Sequence, residues 1–93
     1  ITPDRGPMQR FATVLCDAPL ECGVPMESKC GDCTSCQNAC PVNAIKGIEW
    51  QMDQDVSERV DRDACKAYLN KNHETYGCSV CGLCLSACPW GKC

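Results

Sequence analysis

"CGDCTSCQNACP", Cys30 to Pro41, sets four cysteines within eleven positions and closes on proline. Thiols two residues apart rarely reach the separation and dihedral angle that a disulfide between them needs. A zinc ion needs four ligands and usually takes them as two short pairs. Three thiols at steps of three, then a fourth followed by proline, point to a group larger than one metal ion.

The same run returns 48 positions later as "CSVCGLCLSACP", Cys78 to Pro89. Both copies read C-x-x-C-x-x-C-x-x-x-C-P, the bacterial pattern for cubane iron–sulfur clusters. A cubane has four iron corners, each of which takes a thiolate. A loop with cysteines three apart wraps three corners and turns its N–H groups toward the sulfides. Small residues at Gly31, Ser35, Ser79 and Gly82 let that backbone approach. The fourth cysteine stands one helical turn beyond the third and faces the other cluster. Pro41 and Pro89 discourage a helix from running on through it.

The spacing therefore predicts two [4Fe–4S] clusters with crossed ligands. Cys30, Cys33, Cys36 and Cys88 hold the first. Cys40, Cys81, Cys84 and one more thiol hold the second, and plain ferredoxin spacing makes that thiol Cys78. Each cluster ties one motif to the other, so metal loss should unfold the domain. The competing reading is a structural or interaction module closed by two zinc ions.

Composition agrees with a metal staple. The 93 residues include 12 cysteines but one Phe, two Trp and two Tyr, too little bulky material for a strong core. Eight of the twelve cysteines fall in the two tight groups, whereas a secreted disulfide scaffold spreads them to close loops. A net charge of −3 lacks the basic footprint of a nucleic-acid binder. No apolar run is long enough to span a bilayer, and no signal-peptide pattern is visible. No catalytic triad or glycine-rich phosphate loop is recognisable. The start at Ile1 is read as a processed form or a fragment of a longer protein.

The expected fold is small and α+β: a two-cluster ferredoxin-like domain with pseudo-twofold symmetry, short helices after each triplet and a long helix-containing insert. An all-helical ferredoxin is the alternative. Within the insert, a helix is predicted from about Arg62 to Asn72, capped by Asp61, with Val60 and Cys65 in staple positions. Cys65, Tyr68 and Leu69 share one face, and Gly77 ends the segment. His73 falls near the helix end, where a solvated cation is favoured. Val42, Ala44, Ile45 and Ile48 are expected to cover a cluster, and Trp50 to pack. Residues 49–63, with six acids and two arginines, read as a solvated loop or as a docking face for a basic electron donor. Residues 1–27 are rich in proline and read as a connection or the tail of a preceding domain, with 28–93 as the cluster domain. Only Arg10 to Cys16 looks like a strand. Cys16, Cys22 and Cys93 are expected to be free thiols.

Four stretches carry a further likeness: "ITPDRGPMQRFATVLCDAPLE", "CGDCTSCQNACPVNAI", "DRDACKAYL" and "YGCSVCGLCLSACPWG". Together they resemble the C-terminal part of the cobalamin-dependent epoxyqueuosine reductases and their relatives, the reductive dehalogenases. The TP-x-x-GP-x-x-R opening, the D-x-x-x-C-x-x-YL stretch and the CPWG ending set this likeness apart from ferredoxins in general. The resemblance implies a role in electron delivery, with clusters feeding a corrinoid bound by a preceding domain. It also implies that Cys65, the cysteine of D-x-x-x-C-x-x-YL, is the fourth ligand of the second cluster in place of Cys78. No catalysis is expected from this chain alone. A free-standing ferredoxin is the alternative, and oxygen-sensitive cubanes point to a reducing cytoplasm.

Overall fold

Ala44, 2% exposed, is the one apolar side chain buried among the described residues of the computed structural model, which describes residues 2–91. A hydrophobic interior therefore does not organise this chain. Its radius of gyration is 15.6 Å, against about 12 Å for a well-packed domain of this length. Backbone turns around the cysteines supply the order instead.

Four helices follow one another: α1 (Ser35–Asn38), α2 (Val56–Arg59), α3 (Arg62–Tyr76) and α4 (Leu83–Ser86). The two motif helices, α1 and α4, pack against each other. They do not follow the cysteine triplets as expected but carry the third cysteine of each, Cys36 and Cys84. No strand forms among the described residues. Thr2 pairs with Gly6 and Ile45 with Val60 as isolated antiparallel bridges, so the β half of the α+β expectation is not met there. Arg10 to Cys16 is irregular and exposed, because a lone β-prone stretch has no partner for its backbone groups.

The 48-residue repeat is a repeat of hydrogen bonds. Asn38 N–H donates to Thr34 O, Ala39 to Ser35 O, Cys40 to Gln37 O and Asn43 to Cys40 O. In the second motif Ser86 donates to Gly82 O, Ala87 to Leu83 O, Cys88 to Leu85 O and Gly91 to Cys88 O. Each bond has its counterpart at the same offset. The match ends upstream: Cys33 N–H closes onto Cys30 O at 2.9 Å, and no such bond joins Cys81 to Cys78.

α3 is the one long helix, and its ends are fixed by local chemistry. Asp61 Oδ1 accepts from Ala64 N–H at 2.9 Å, and Gly77, at φ 74, ends the helix with its N–H on His73 O. It runs one turn beyond the expected Asn72. Ala64, Cys65, Tyr68, Leu69 and Asn72 are half-buried along one face, and His73 is exposed in the last turn. α2 arises within the acidic stretch, where Asp55 caps it through Ser57 N–H at 2.7 Å.

The opening turn folds back on the end of the second motif. Gly6 is buried, and a Cβ there would collide with the Trp90 carbonyl. Lys29, just before the first motif, holds its ammonium 5.6 Å from the centre of the Trp90 ring. The first contact ties the opening turn, and the second the residue before the first motif, to the end of the second motif without a core.

Candidate metal centre

Each motif starts as a loop and ends as a turn because its glycines and proline demand it. Gly31 at φ 46 and Gly82 at φ 89 occupy left-handed backbone that other residues enter at a cost. Gly82 then caps α4 and so sets the position of Cys84. All eleven described cysteines are unpaired thiols. Of these Cys36, Cys40, Cys65, Cys84 and Cys88 are half-buried, and Cys30, Cys33, Cys78 and Cys81 are exposed. Cys16 and Cys22 are free and exposed as expected, whereas Cys93 lies outside the described residues.

The first three thiols share a cavity of about 680 Å³. Cys30, Cys33 and Cys36 line it together with Ile45, Ile48, Trp50 and Arg59. Ile45 and Ile48 thus stand where cover for a cluster was expected. Trp50 is 57% exposed at its edge rather than packed inside. Burial pushes the Cys30 thiol up, and so do the charges of Cys36, Cys88, Cys33 and Glu49. Cys88, from the far end of the chain, therefore acts electrostatically in the same neighbourhood as the first triplet. Cys84 is also pushed up, by burial first and then by Cys81 and Cys36.

Two thiols go the other way. The Ser35 side chain and N–H hold Cys33 below the ordinary thiol value. Partial burial opposes ionisation of Cys40, but the N–H groups of Val42, Ala44, Ile45 and Asn43 together outweigh it and hold its thiol low. The Ala44 N–H lies 3.2 Å from Cys40 Sγ. This is the amide cradle that a cluster-bound sulfur requires.

From that cradle a short ladder reaches Cys65. Ala44 donates to Cys40 Sγ, its carbonyl accepts from Asp61 N–H at 2.8 Å, and Asp61 O accepts from Cys65 N–H at 3.2 Å. Cys78 lies beyond the end of α3 and is exposed. That part of the chain is tied to α3 by Asn72, whose side-chain amide donates to Val80 O at 2.8 Å.

Three thiols around one cavity suit a cubane, which takes a thiolate at each of its irons. Residues 29–91 match the family described as the 4Fe-4S double cluster binding domain.

The chain belongs to that family. Within it, this double-cluster domain corresponds to the C-terminal iron–sulfur domain of epoxyqueuosine reductases. It is 31% identical to the epoxyqueuosine reductase of Aliivibrio fischeri and 33% identical to that of Vibrio cholerae. Each alignment covers 85% of this chain but 22% of the relative. A third relative, NADH-quinone oxidoreductase subunit I 2 of Symbiobacterium thermophilum, is 38% identical over 69% of this chain and 23% of its own length. The chain thus spans about a quarter or less of these relatives. No solved structure matches it. No helix among the described residues is long and apolar enough to cross a membrane.

Of the expected thiols, Cys30, Cys33 and Cys36 meet at the first cavity, and two further residues there, Arg59 and Glu49, were not expected. Arg59 gave no motif, because a bridge from a distant segment brings it there. Glu49 was read only as part of an acidic loop.

Proposed function

We propose that this chain is the electron-transfer portion of a larger cobalamin-dependent reductase and delivers electrons to its corrinoid. When bound, each [4Fe–4S] cluster accepts and passes on one electron. Cys30, Cys33, Cys36 and Cys88 hold the first, and Cys40, Cys65, Cys81 and Cys84 the second. The observation that supports the ligand assignment is the hydrogen-bond repeat, four bonds of which recur from position 34 or 82 onward while the Cys30–Cys33 bond has no counterpart between Cys78 and Cys81. Cys78 thus lacks the backbone turn that Cys30 has, while Cys65 lies on the ladder from Cys40.

The protein side of the work is positioning. The crossed fourth thiols hold both clusters in one unit, so an electron has a short path between them. The amides around Cys40 favour its thiolate, and Ile45 and Ile48 limit water at the first site. The irregular segment before the first motif exposes Phe11, Val14, Leu15, Leu20 and Val24. So much uncovered apolar surface is what a connection to a further domain presents. Residues 1–27 serve as that connection, and a reducing cytoplasm suits the clusters.

Iron and acid-labile sulfide, measured without air on the full protein, test this reading. Expected are roughly eight irons and eight sulfides per chain, with visible absorbance that bleaches on reduction and returns when corrinoid is reduced. Zinc without sulfide would reject it in favour of a structural module. Full clusters that never reduce a bound corrinoid would leave a free-standing ferredoxin.

A further inference from the structure

Ala44 is held at both of its backbone groups. Its N–H lies 3.2 Å from Cys40 Sγ, and its carbonyl accepts from Asp61 N–H at 2.8 Å. Asn43, at φ 51, turns the chain through the left-handed region just before it, where asparagine is at home more often than other residues with a side chain. The residues that follow are pinned to the same part of the insert. Ile45 bridges Val60, Lys46 N–H donates to Arg59 O at 2.9 Å, and Lys46 Nζ donates to Ser57 O at 2.8 Å. The stretch from Ser57 to Asp61 therefore fixes the residue whose amide meets the Cys40 sulfur. Capping of α3 uses the Asp61 carboxylate, and the Asp61 N–H goes to Ala44.

We propose that Asp61 is a positioning residue for the cluster that Cys40 holds. Its N–H anchors Ala44, keeps the Ala44 N–H on the Cys40 sulfur and thereby raises that cluster's reduction potential. The inference rests on the assignment of Cys40 as a cluster ligand made above. Reduction by a one-electron donor adds one electron, and so one negative charge, to a cluster–thiolate unit that is already anionic; no bond forms or breaks. An N–H dipole aimed at the thiolate sulfur stabilises the added charge and favours the reduced form. Once Ala44 is loosened, its N–H drifts from the sulfur and that help is lost. The backbone permits a direct test. Asp61 has φ −75, within the range that proline fixes, and Val60 is extended, as a residue before proline prefers. Proline at position 61 thus deletes the donor without demanding a new backbone conformation.

The experiment uses the full protein, anaerobic, with iron and sulfide counted on each sample. The signal lost in Cys40→Ser identifies the cluster concerned. Asp61→Ala and Asp61→Pro lose the same carboxylate and the same helix cap, and they differ in the N–H. At full iron load and fixed potential, Asp61→Pro should hold the reduced-to-oxidised ratio of that cluster at least about threefold below Asp61→Ala, or roughly 28 mV for one electron. A smaller difference overturns the inference. An ester in place of the Asn43–Ala44 amide, introduced with lactic acid at position 44, removes the other N–H and keeps the methyl side chain. It should lower the ratio by at least the same factor against the wild type. A smaller change overturns the inference, whether or not the proline variant takes up iron. Undiminished iron in Cys40→Ser, or no labile sulfide in the wild type, would instead overturn the cluster assignment itself, and this inference with it.

Discussion

The two cysteine motifs match letter for letter at every cysteine, yet their backbones match over only part of their length. From Thr34 and Gly82 onward four backbone hydrogen bonds recur at the same offset, through the third and fourth cysteines and the turn after the proline. Before that point they diverge. The first motif places its left-handed glycine directly after its first cysteine, at Gly31, and closes Cys30 to Cys33. The second places it at Gly82, just before α4, and leaves Cys78 open. Equal spacing of thiols thus does not guarantee equal use of them. The part of the motif that repeats is the part that carries the third and fourth cysteines.

Losing a crossed thiol should break this likeness most severely. Cys40→Ser and Cys88→Ser should each cost about half the iron, and anaerobic chelation of all iron should abolish most of the tertiary signal in circular dichroism. With one apolar side chain buried among the described residues, no hydrophobic core there holds α1 on α4. The next test falls on the divergent end. Cys65→Ser should lose one cluster while Cys78→Ser keeps both, as iron counts would show; the reverse would restore full equivalence of the motifs.

The glycines sharpen the contrast at smaller scale. Neither Gly31 nor Gly82 has a neighbour that a new Cβ would strike, so alanine at either site tests backbone strain alone. Gly82→Ala, at φ 89, should destabilise the loaded protein by about 1–2 kcal/mol. Gly31→Ala, at φ 46, should cost less, because that angle lies nearer the left-handed well. Thermal cluster loss followed at visible wavelengths would rank them.

The smallest effect concerns protons. Ser35 holds the Cys33 thiol low, which keeps the thiolate, and so the metal bond, intact to lower pH. Ser35→Ala removes that help. On acidification the first cluster should then be lost at a pH higher than in the wild type. The equivalent position in the second motif is Leu83, which has no hydroxyl, so Leu83→Ala should leave the midpoint in place.

What the sequence could reveal was local or covalent. The Asp61 cap and the Gly77 stop each act within a few residues, and each is found where expected. The short helix α2 was also readable, since Asp55 stands three residues before Glu58, but the density of charge around it masked the signal. Arg10 to Cys16 misled for the opposite reason: β-prone residues state a preference that only a neighbouring strand can fulfil. Trp50 and Arg59 depend on how distant segments meet. Their places at the cavity follow from the Ile45–Val60 bridge, which no periodicity announces.

The close seating of Gly6 on the Trp90 carbonyl carries a last consequence. The peptide just past Cys88 rests on a residue whose only substituent is hydrogen. Any bulkier occupant would wedge that peptide outward and so disturb Cys88, a proposed cluster ligand two residues before it. If Cys88 holds a cluster as proposed, a change at position 6 would read out as a loss of that cluster, though it lies nowhere near the cysteine runs in the primary chain.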